Sequence, residues 1–259
     1  MPNIDTHPPG DFTWVELGTN NQSAAKDFYT GLFGWQADDI PMGPGESYTI
    51  FRLKGRDTAA AYTLKPEMSG GAPPHWMPYI AVKSADESAA RAGQLGGKVV
   101  SPSFDVFDAG RMAVVQDPTG ATFCLWQAKN NPGIGIAGVD GTLCWADLIT
   151  TDIPKARQFY AALFAWHLST RPHDPSGYLH IKNGETFIGG IPPTGPQPGV
   201  PSHWLLYFQA SDCDAAAAKA TSLGAKIFFG PETMPGVGRW AVMADPQGAV
   251  FAIFQPLPH

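Results

Sequence analysis

Two acidic side chains lie in apolar stretches that alternate like β-strands, and both could perform acid–base chemistry. Glu16 stands in Phe-Thr-Trp-Val-Glu-Leu (residues 12–17), and Asp147 stands in Leu-Cys-Trp-Ala-Asp-Leu (residues 143–148). A carboxylate in apolar surroundings can act as a general base with a raised pKa, or it can accept a hydrogen bond from a ligand. The alternative is structural, with each carboxylate capping backbone groups or pairing with Arg111 or Arg239.

A histidine interrupts one of two otherwise matching strands. His180 lies in Tyr178-Leu-His-Ile, whereas the matching stretch begins at Tyr48 and reads Tyr-Thr-Ile-Phe. Strand alternation places His180 on the same face as Tyr178. This asymmetry is typical of a specialised site, so we take His180 as a candidate catalytic residue beside Glu16 and Asp147, with the two tyrosines as ligand contacts. The alternative is an exposed strand histidine.

Two further pairs of polar residues recur in the chain. His75 and His203 each precede a tryptophan and follow a Pro-containing approach. They could act as acid or base at the rim of a pocket, or they could cap a repeated structural corner. Arg111 and Arg239 each follow a glycine at the start of a strand and could bind an anionic ligand. A salt bridge to Glu16, Asp147 or a turn aspartate is the alternative.

Other common catalytic motifs are absent from the sequence. It has no G-x-S-x-G, Walker loop or H-E-x-x-H. A run of alternating glycines at residues 133–138 imitates a dinucleotide loop, but no helix follows it. Nucleophilic and dinucleotide chemistry therefore have no support.

These candidate residues lie on a tandem repeat. Trp14 and Glu16 recur as Trp145 and Asp147, 131 positions later, and Phe28-Tyr29 and Leu32-Phe-Gly-Trp35 recur as Phe159-Tyr160 and Leu163-Phe-Ala-Trp166. Further along, the offset is 128 for His75-Trp76, Leu95-Gly96, Gly110-Arg111 and Asp117-Pro-Thr-Gly120. A fixed offset over a dispersed pattern indicates duplication, with a net loss of three residues between Trp166 and His203.

Each half is predicted to contain two strand–helix–three-strand units. In the first half, alternation and helical periodicity predict strands at 12–19, 35–40, 48–53, 58–64, 75–82, 98–106, 111–116 and 121–127, and helices at 23–33 and 86–95. Asn20 or Asn21 can cap the first helix. We therefore predict an α+β fold with a lead-in at 1–10, one domain at 11–128, a linker at 129–141 and a second domain at 142–259.

Composition excludes several classes of protein. The 259 residues are 44% hydrophobic, carry a net charge of −6 and contain no run of Lys or Arg, so nucleic acid and anionic membrane surfaces are poor candidate partners. No stretch approaches the length of a membrane helix, and the first residues do not resemble a signal peptide. Three cysteines without a C-x-x-C pattern favour a reducing compartment, which predicts a cytoplasmic protein.

The Phe-Tyr…Leu-Phe-Gly-Trp block, the Leu95-Gly-Gly-Lys98 block and the Asp-Pro-x-Gly turn, with their second copies, resemble the vicinal oxygen chelate superfamily. This superfamily includes glyoxalase I, the bleomycin-resistance proteins and the extradiol dioxygenases. The resemblance covers nearly the whole chain and implies paired βαβββ units, with each sheet curling around a ligand or metal pocket. Within the superfamily the chain resembles the tandem two-domain proteins often labelled "hydroxylase" or "glyoxalase/bleomycin resistance protein". Units can exchange within one chain or between two chains of a homodimer, and the sequence leaves both open.

The resemblance also places the metal-ligand positions of the family on residues that are poor ligands here. The first position falls on Trp14 and Trp145, the second near Met77 and Leu205, and the last on Cys124 and Ala252. The additional glyoxalase glutamate position falls within residues 59–61 and 188–190, which contain no acid. A divalent metal needs three or four converging donors, so we predict no metal and no cofactor. Trp14 and Trp145 then either stack on a planar ligand or fill the position of the metal.

Three functions remain open on the sequence. The leading hypothesis is a metal-independent small-molecule-binding protein, similar to the bleomycin-resistance branch. The second is a lyase, hydroxylase or dioxygenase-like enzyme that uses Glu16 or Asp147 as its base. The third is a stress-associated protein whose cups are filled by side chains and which works through its surface.

Overall fold

The computed structural model describes residues 3–65, 71–171 and 176–257, which form four helices and sixteen strands. The first half contains β1 (Phe12–Thr19), α1 (Gln22–Phe33), β2 (Gln36–Gly43), β3 (Glu46–Leu53), β4 (Arg56–Thr63), β5 (His75–Ala81), α2 (Ala85–Gln94), β6 (Lys98–Val106), β7 (Gly110–Gln116) and β8 (Thr122–Ala128). The second half contains β9 (Leu143–Ile149), α3 (Ile153–Phe164), β10 (His167–Ser169), β11 (Leu179–Asn183), β12 (Thr186–Ile191), β13 (His203–Gln209), α4 (Cys213–Ser222), β14 (Lys226–Met234), β15 (Gly238–Ala244) and β16 (Val250–Pro256). The predicted α+β fold of four βαβββ units is confirmed.

The helices begin where short polar side chains can accept hydrogen bonds from the first turn. Asn21 accepts from the amide of Ala24, and Asp152 caps α3 in the same way. Gly34 ends α1 in the left-handed conformation, which glycine adopts without strain. These caps fix the residues at which α1 begins and ends and at which α3 begins, and therefore the lengths of the connections to the neighbouring strands.

Each half folds into its own eight-stranded sheet. The strand order is β2-β3-β4-β1-β5-β8-β7-β6 in the first sheet and β10-β11-β12-β9-β13-β16-β15-β14 in the second. The two units of a half join through antiparallel pairing of β1 with β5 and of β9 with β13. The units therefore pair within the halves of one chain, which the sequence could not decide.

Strand alternation gives each sheet a core face and an opposite face, which we call cup 1 in the first half and cup 2 in the second. In β13, Leu206 and Phe208 belong to the main hydrophobic core, whereas Leu205 and Tyr207 form a separate cluster with Ala252. The core contains residues of both halves and of the helices. The face that forms cup 2 is therefore separate from this core, whereas Trp14 and Tyr79 of cup 1 belong to it.

The two halves are joined by a buried aromatic core and by the repeated motifs themselves. The hydroxyl of Tyr29, on α1, donates to Asp245 of the second Asp-Pro-x-Gly turn at 3.0 Å. The indole nitrogen of Trp35 donates to the carbonyl of Gly141 at 2.7 Å, and its ring lies 5.8 Å from that of Phe208. The Phe-Tyr and Asp-Pro-x-Gly motifs thus meet across the contact between the halves.

Residues 3–10 of the predicted lead-in make contacts with both halves and with the segment between them. Asn3 pairs with Ile136 in an isolated antiparallel bridge, and the ring of His7 contacts the carbonyl of Ile134 at 2.9 Å. The carbonyl of Gly10 accepts a hydrogen bond from Trp166. Residues 3–10 therefore lie along the segment that connects the halves. Among the described residues, no helix has the length and apolar character needed to cross a membrane.

Candidate functional site

The base of cup 1 is a buried glutamate surrounded by phenols. Tyr79 donates its hydroxyl to Oε2 of Glu16 at 2.6 Å, and Tyr48 also hydrogen-bonds the carboxyl group. The indole nitrogen of Trp14 donates to the hydroxyl of Tyr48 at 3.1 Å. Tyr62 lies near enough for the charge of Glu16 to raise its pKa further above the value set by its burial. The residues form one connected polar network at the centre of the sheet.

Cup 2 repeats this network around an aspartate. Tyr207 donates to Oδ2 of Asp147 at 2.9 Å, while Tyr178 and the indole of Trp145 donate to Oδ1, the indole at 3.0 Å. The same indole also contacts the hydroxyl of Tyr178 at 2.7 Å. Gly190 makes this arrangement possible, because a Cβ at that position would lie 2.0 Å from the hydroxyl oxygen of Tyr178.

Burial dominates the electrostatics of both carboxyl groups. It raises the pKa of Glu16, and the hydrogen bonds from Tyr48 and Tyr79 oppose it only in part. Burial likewise raises the pKa of Asp147 against the hydrogen bonds from its phenol and indole donors. Among the described residues, no Lys or Arg forms an ion pair with either carboxylate. Each cup therefore holds a carboxyl group whose proton affinity is increased, which is the property expected of a general acid or base at moderate pH.

The positions at which metal enzymes of the vicinal oxygen chelate superfamily carry metal ligands hold residues here that cannot coordinate a divalent metal. In cup 1 these positions carry Trp14, Met77 and Cys124, and burial raises the pKa of the Cys124 thiol well above its usual value, so it stays protonated. In cup 2, Leu205 and Ala252 offer no donor at all. Within the described part of the chain, no group of three or more His, Cys, Asp or Glu side chains could hold a metal ion.

His180 lies in cup 2, as its strand face predicts. Its ring is 4.8 Å from that of Tyr178, 6.3 Å from that of Trp145 and 5.4 Å from that of Phe187. The side chain is buried. The structure thus brings His180 together with the Asp147 network, and cup 1 has Ile50 at the corresponding position.

The remaining candidates lie away from these networks. The Nδ1 atoms of His75 and His203 contact the carbonyls of Pro73 and Pro201 at 2.8 and 2.9 Å, which is the geometry of a repeated corner. Each arginine instead binds a helix aspartate: Arg111 binds Asp86 on α2, and Arg239 binds Asp214 on α4. The salt bridges considered from the sequence, to Glu16, Asp147 or a turn aspartate, were therefore wrong. A ligand role for these four residues stays a prediction.

Sequence reasoning missed one of the two tyrosines that hydrogen-bond each carboxylate, which are Tyr79 in cup 1 and Tyr207 in cup 2. Tyr79 and Tyr207 lie four residues after His75 and His203, at the same offset of 128. Their pairing with Trp14 and Trp145 across the β1–β5 and β9–β13 contacts places them beside the acids. The repeated tyrosine was the available signal, but its importance depends on which strands pair.

Cup 2 also has an aromatic wall that the sequence did not predict. The rings of Phe229 and Trp240 are 4.5 Å apart at an interplanar angle of 35°, and Trp240 lies 6.3 Å from Tyr207. Phe229 is 41% exposed, so this wall reaches solvent. A flat ligand could contact it without rearrangement of the core.

Two sheets of paired βαβββ units, each with a cup centred on β1 and β5 or their repeats, define a tandem glyoxalase-type protein. The profile of the Glyoxalase/Bleomycin resistance protein/Dioxygenase superfamily matches residues 12–125 and 142–253. The chain belongs to this superfamily, as its motifs predicted.

Relatives match the chain over nearly its full length, and solved structures share its fold. The chain is 42% identical over 261 residues to CFP32 of Mycobacterium bovis, which is named as a candidate glyoxylase, with 100% of both chains covered. It is 34% identical to the anthracycline biosynthesis protein DauV of Streptomyces sp. strain C5, covering 95% of this chain and 94% of the relative. The Mn(II)-bound glyoxalase of Novosphingobium aromaticivorans has the same fold, with a TM-score of 0.68 at 14% identity over 100% of this chain and 84% of that one. The 2,3-dioxygenase LapB of Pseudomonas sp. KL28 gives 0.66 at 14% identity, over 98% and 93%.

Proposed function

We propose that this protein binds a small, largely planar organic molecule in its cups without the help of a metal ion. The observation that carries the proposal is the repeated network of carboxyl, phenol and indole groups at the place where metal enzymes of this fold bind their metal. Two copies of this network, built on Glu16 and Asp147, keep the same types of donor although the neighbouring residues differ. Such conserved chemistry within one chain favours recognition of a ligand over filling of space.

The chemistry of the network suits a ligand with carbonyl or hydroxyl groups. Each carboxyl group can accept a hydrogen bond, and the hydroxyls of Tyr48 and Tyr178 can turn from the carboxylate to a ligand oxygen. Trp14 and Trp145 lie beside these hydroxyls and supply flat apolar surface. A mainly apolar cup with a few convergent polar groups is typical of a small-molecule site.

The relatives suggest which probes to use. Because DauV is named for anthracycline biosynthesis, an anthraquinone is a suitable planar probe. Isothermal titration of metal-stripped protein is expected to show binding that neither EDTA nor added Zn²⁺, Ni²⁺, Mn²⁺ or Fe²⁺ changes. Tyr178→Phe should weaken binding, whereas Tyr29→Phe, which changes a tyrosine outside the cups, should not. A strong stoichiometric rise in melting temperature on adding one of these metals to chelated protein would contradict the proposal.

An enzyme is the second candidate, and the raised pKa values of Glu16 and Asp147 favour it, since a carboxyl group of this kind can move a proton from carbon or oxygen. His180 adds a second titratable group to cup 2. Turnover would be sought with methylglyoxal–thiol hemithioacetals and with catechols, with and without added metal. The enzyme hypothesis predicts activity that Asp147→Asn abolishes. Absence of turnover across the panel would remove its support.

We further propose that the protein works in the cytoplasm. Cys124, Cys144 and Cys213 are all free thiols, as a reducing compartment requires. Fractionation of the source cells would test this, since recovery of the protein outside the cytoplasmic fraction would contradict it.

A further inference from the structure

The rims of the two cups differ in charge at positions that the repeat makes equivalent. In cup 1, Arg52 and Asp57 face each other across β3 and β4, and their side chains form an ion pair at 2.6 Å. The matching pair in cup 2 is Lys182 and Phe187, in the same cross-strand register. Cup 2 thus retains the cation and has lost the acid that neutralises it.

A second acid is lost at the same rim. Arg52 of cup 1 also pairs with Asp38, which lies opposite Ile50 on β2. The equivalent position in cup 2 is Ser169, opposite His180. Both acids that neutralise the rim of cup 1 are therefore replaced by uncharged residues in cup 2.

Cup 2 has gained an arginine as well. The guanidinium carbon of Arg171 lies 5.4 Å from the centroid of the Phe187 ring, and Nζ of Lys182 lies 4.7 Å from the same centroid. No described carboxylate is within ion-pair distance of Arg171. Among the described residues, Lys182 pairs only with Glu185, whose carboxylate oxygen lies 3.5 Å from Nζ of Lys182 and whose side chain is fully exposed. An exposed pair of this kind contributes little, so both charges are available to a ligand.

These cations lie close to the network at the base of cup 2. Burial raises the pKa of Tyr178, whose hydroxyl donates to Asp147, and Arg171 lies near enough for its charge to oppose part of this rise. The centroid of the His180 ring lies 6.3 Å from that of Trp145 and 5.4 Å from that of Phe187. A continuous path of flat side chains therefore runs from the Asp147 network to the cationic rim.

We propose that cup 2 recognises an aromatic ligand that carries a carboxylate, with its rings along this path and its negative group at Arg171 and Lys182, while the neutral rim of cup 1 does not. Arginine is suited to this task because its planar guanidinium can donate two parallel hydrogen bonds to a carboxylate while it stacks on a ring. This inference rests on the proposed function and specifies the class of ligand for one of the two cups.

The test uses two probes of the same shape, anthraquinone-2-carboxylate and its carboxamide, titrated calorimetrically into the full-length protein at pH 7. The carboxylate is expected to bind about ten-fold more tightly than the amide and to lose this advantage at high salt. Arg171→Gln should remove the preference, and Arg171→Lys should keep part of it. Arg52→Gln, the matched change at the rim of cup 1, should leave the preference unchanged.

The outcomes separate the two proposals. The charge assignment would be overturned if the wild-type protein bound both probes with equal affinity, or if Arg171→Gln weakened the binding of both probes by the same factor. Small-molecule binding itself would remain supported in either case. A preference abolished by Arg52→Gln instead would place the charged ligand in cup 1 and also overturn it. If neither probe binds, the proposed function fails together with this inference. Circular dichroism of each variant would confirm that the exposed substitution leaves the fold intact.

Discussion

The central chemical feature of each cup is a buried carboxyl group that accepts hydrogen bonds from phenols, and in cup 2 from an indole as well, while no Lys or Arg of the described residues pairs with it. The donors satisfy the carboxylate oxygens, which lowers the cost of burying them, yet they supply no positive charge. The protonated form is therefore more favoured in the folded protein than for a carboxyl group in water, so burial raises the pKa of both Glu16 and Asp147. Proton binding by the folded protein thus exceeds that by the unfolded chain above the ordinary carboxyl pKa.

This difference predicts a particular dependence of stability on pH. Between the unfolded glutamate pKa of about 4.3 and the raised folded value, the folded state binds more protons, so its stability falls as pH rises. Glu16→Gln cannot titrate and should escape this loss. Urea unfolding from pH 4 to pH 8 should show the stability of the variant increasing relative to wild type as pH rises. Glu87→Gln, an exposed helix change, is the control. A pH-independent difference would contradict the raised pKa.

The close approach of Gly190 to the Tyr178 hydroxyl leads to a second prediction at the scale of single residues. Gly190→Ala would place a methyl group 2.0 Å from the Tyr178 hydroxyl oxygen and displace it from Asp147. Such overpacking should destabilise the protein by about 1–3 kcal/mol in urea unfolding. Combining it with Tyr178→Leu, which shortens the side chain, should recover part of the loss. Cup 1 has alanine at the equivalent position, and Ala60→Gly serves as the matched control, for which no displacement of Tyr48 is expected.

At the scale of strands and helices, much of the fold follows from local pattern. The strands β1 and β6 were predicted at their observed limits, because alternation and flanking turn residues act within a few positions. Which strands pair between units could not be predicted, because the sequence allows β1 to pair with a strand of any other βαβββ unit. The same gap hid the site: Tyr79 reaches Glu16 only through the β1–β5 pairing, and the aspartate partners of the arginines lie on helices 25 residues away.

The contact between α1 and the second Asp-Pro-x-Gly turn gives a prediction at this scale. Tyr29→Phe removes the donor to Asp245 and the acceptor of the Trp76 indole, whose nitrogen lies 2.9 Å from the hydroxyl. Two buried polar groups lose a partner, so the free energy of unfolding should fall by about 1–3 kcal/mol. Tyr48→Phe also removes two hydrogen bonds, to Glu16 and from the Trp14 indole, but Tyr48 is only half-buried, so this change should cost less. A smaller loss for Tyr29→Phe than for Tyr48→Phe in urea unfolding would show that this hydrogen bond does little to join the halves.

At the scale of the whole molecule, the two halves share one hydrophobic core in spite of their separate sheets. The core is continuous between them, and rings such as Trp35 and Phe33 of the first half pack on Phe208 and Phe251 of the second. Separation would expose this aromatic surface to water. A surface of this kind is a liability in an isolated domain, since it promotes association or loss of structure.

We therefore expect fragments 1–141 and 142–259 to aggregate or melt well below the intact protein when produced alone, and to form a stable one-to-one complex when produced together. Size-exclusion chromatography and thermal unfolding would measure both properties. The control is the full-length protein cleaved at a protease site inserted near residue 139, which keeps both halves in place and should migrate as the intact chain does. A monomeric fragment 142–259 with the melting temperature of the intact protein would show that the halves are independent domains. In that case the aromatic contact between Trp35 and Phe208 would not be needed to maintain either cup.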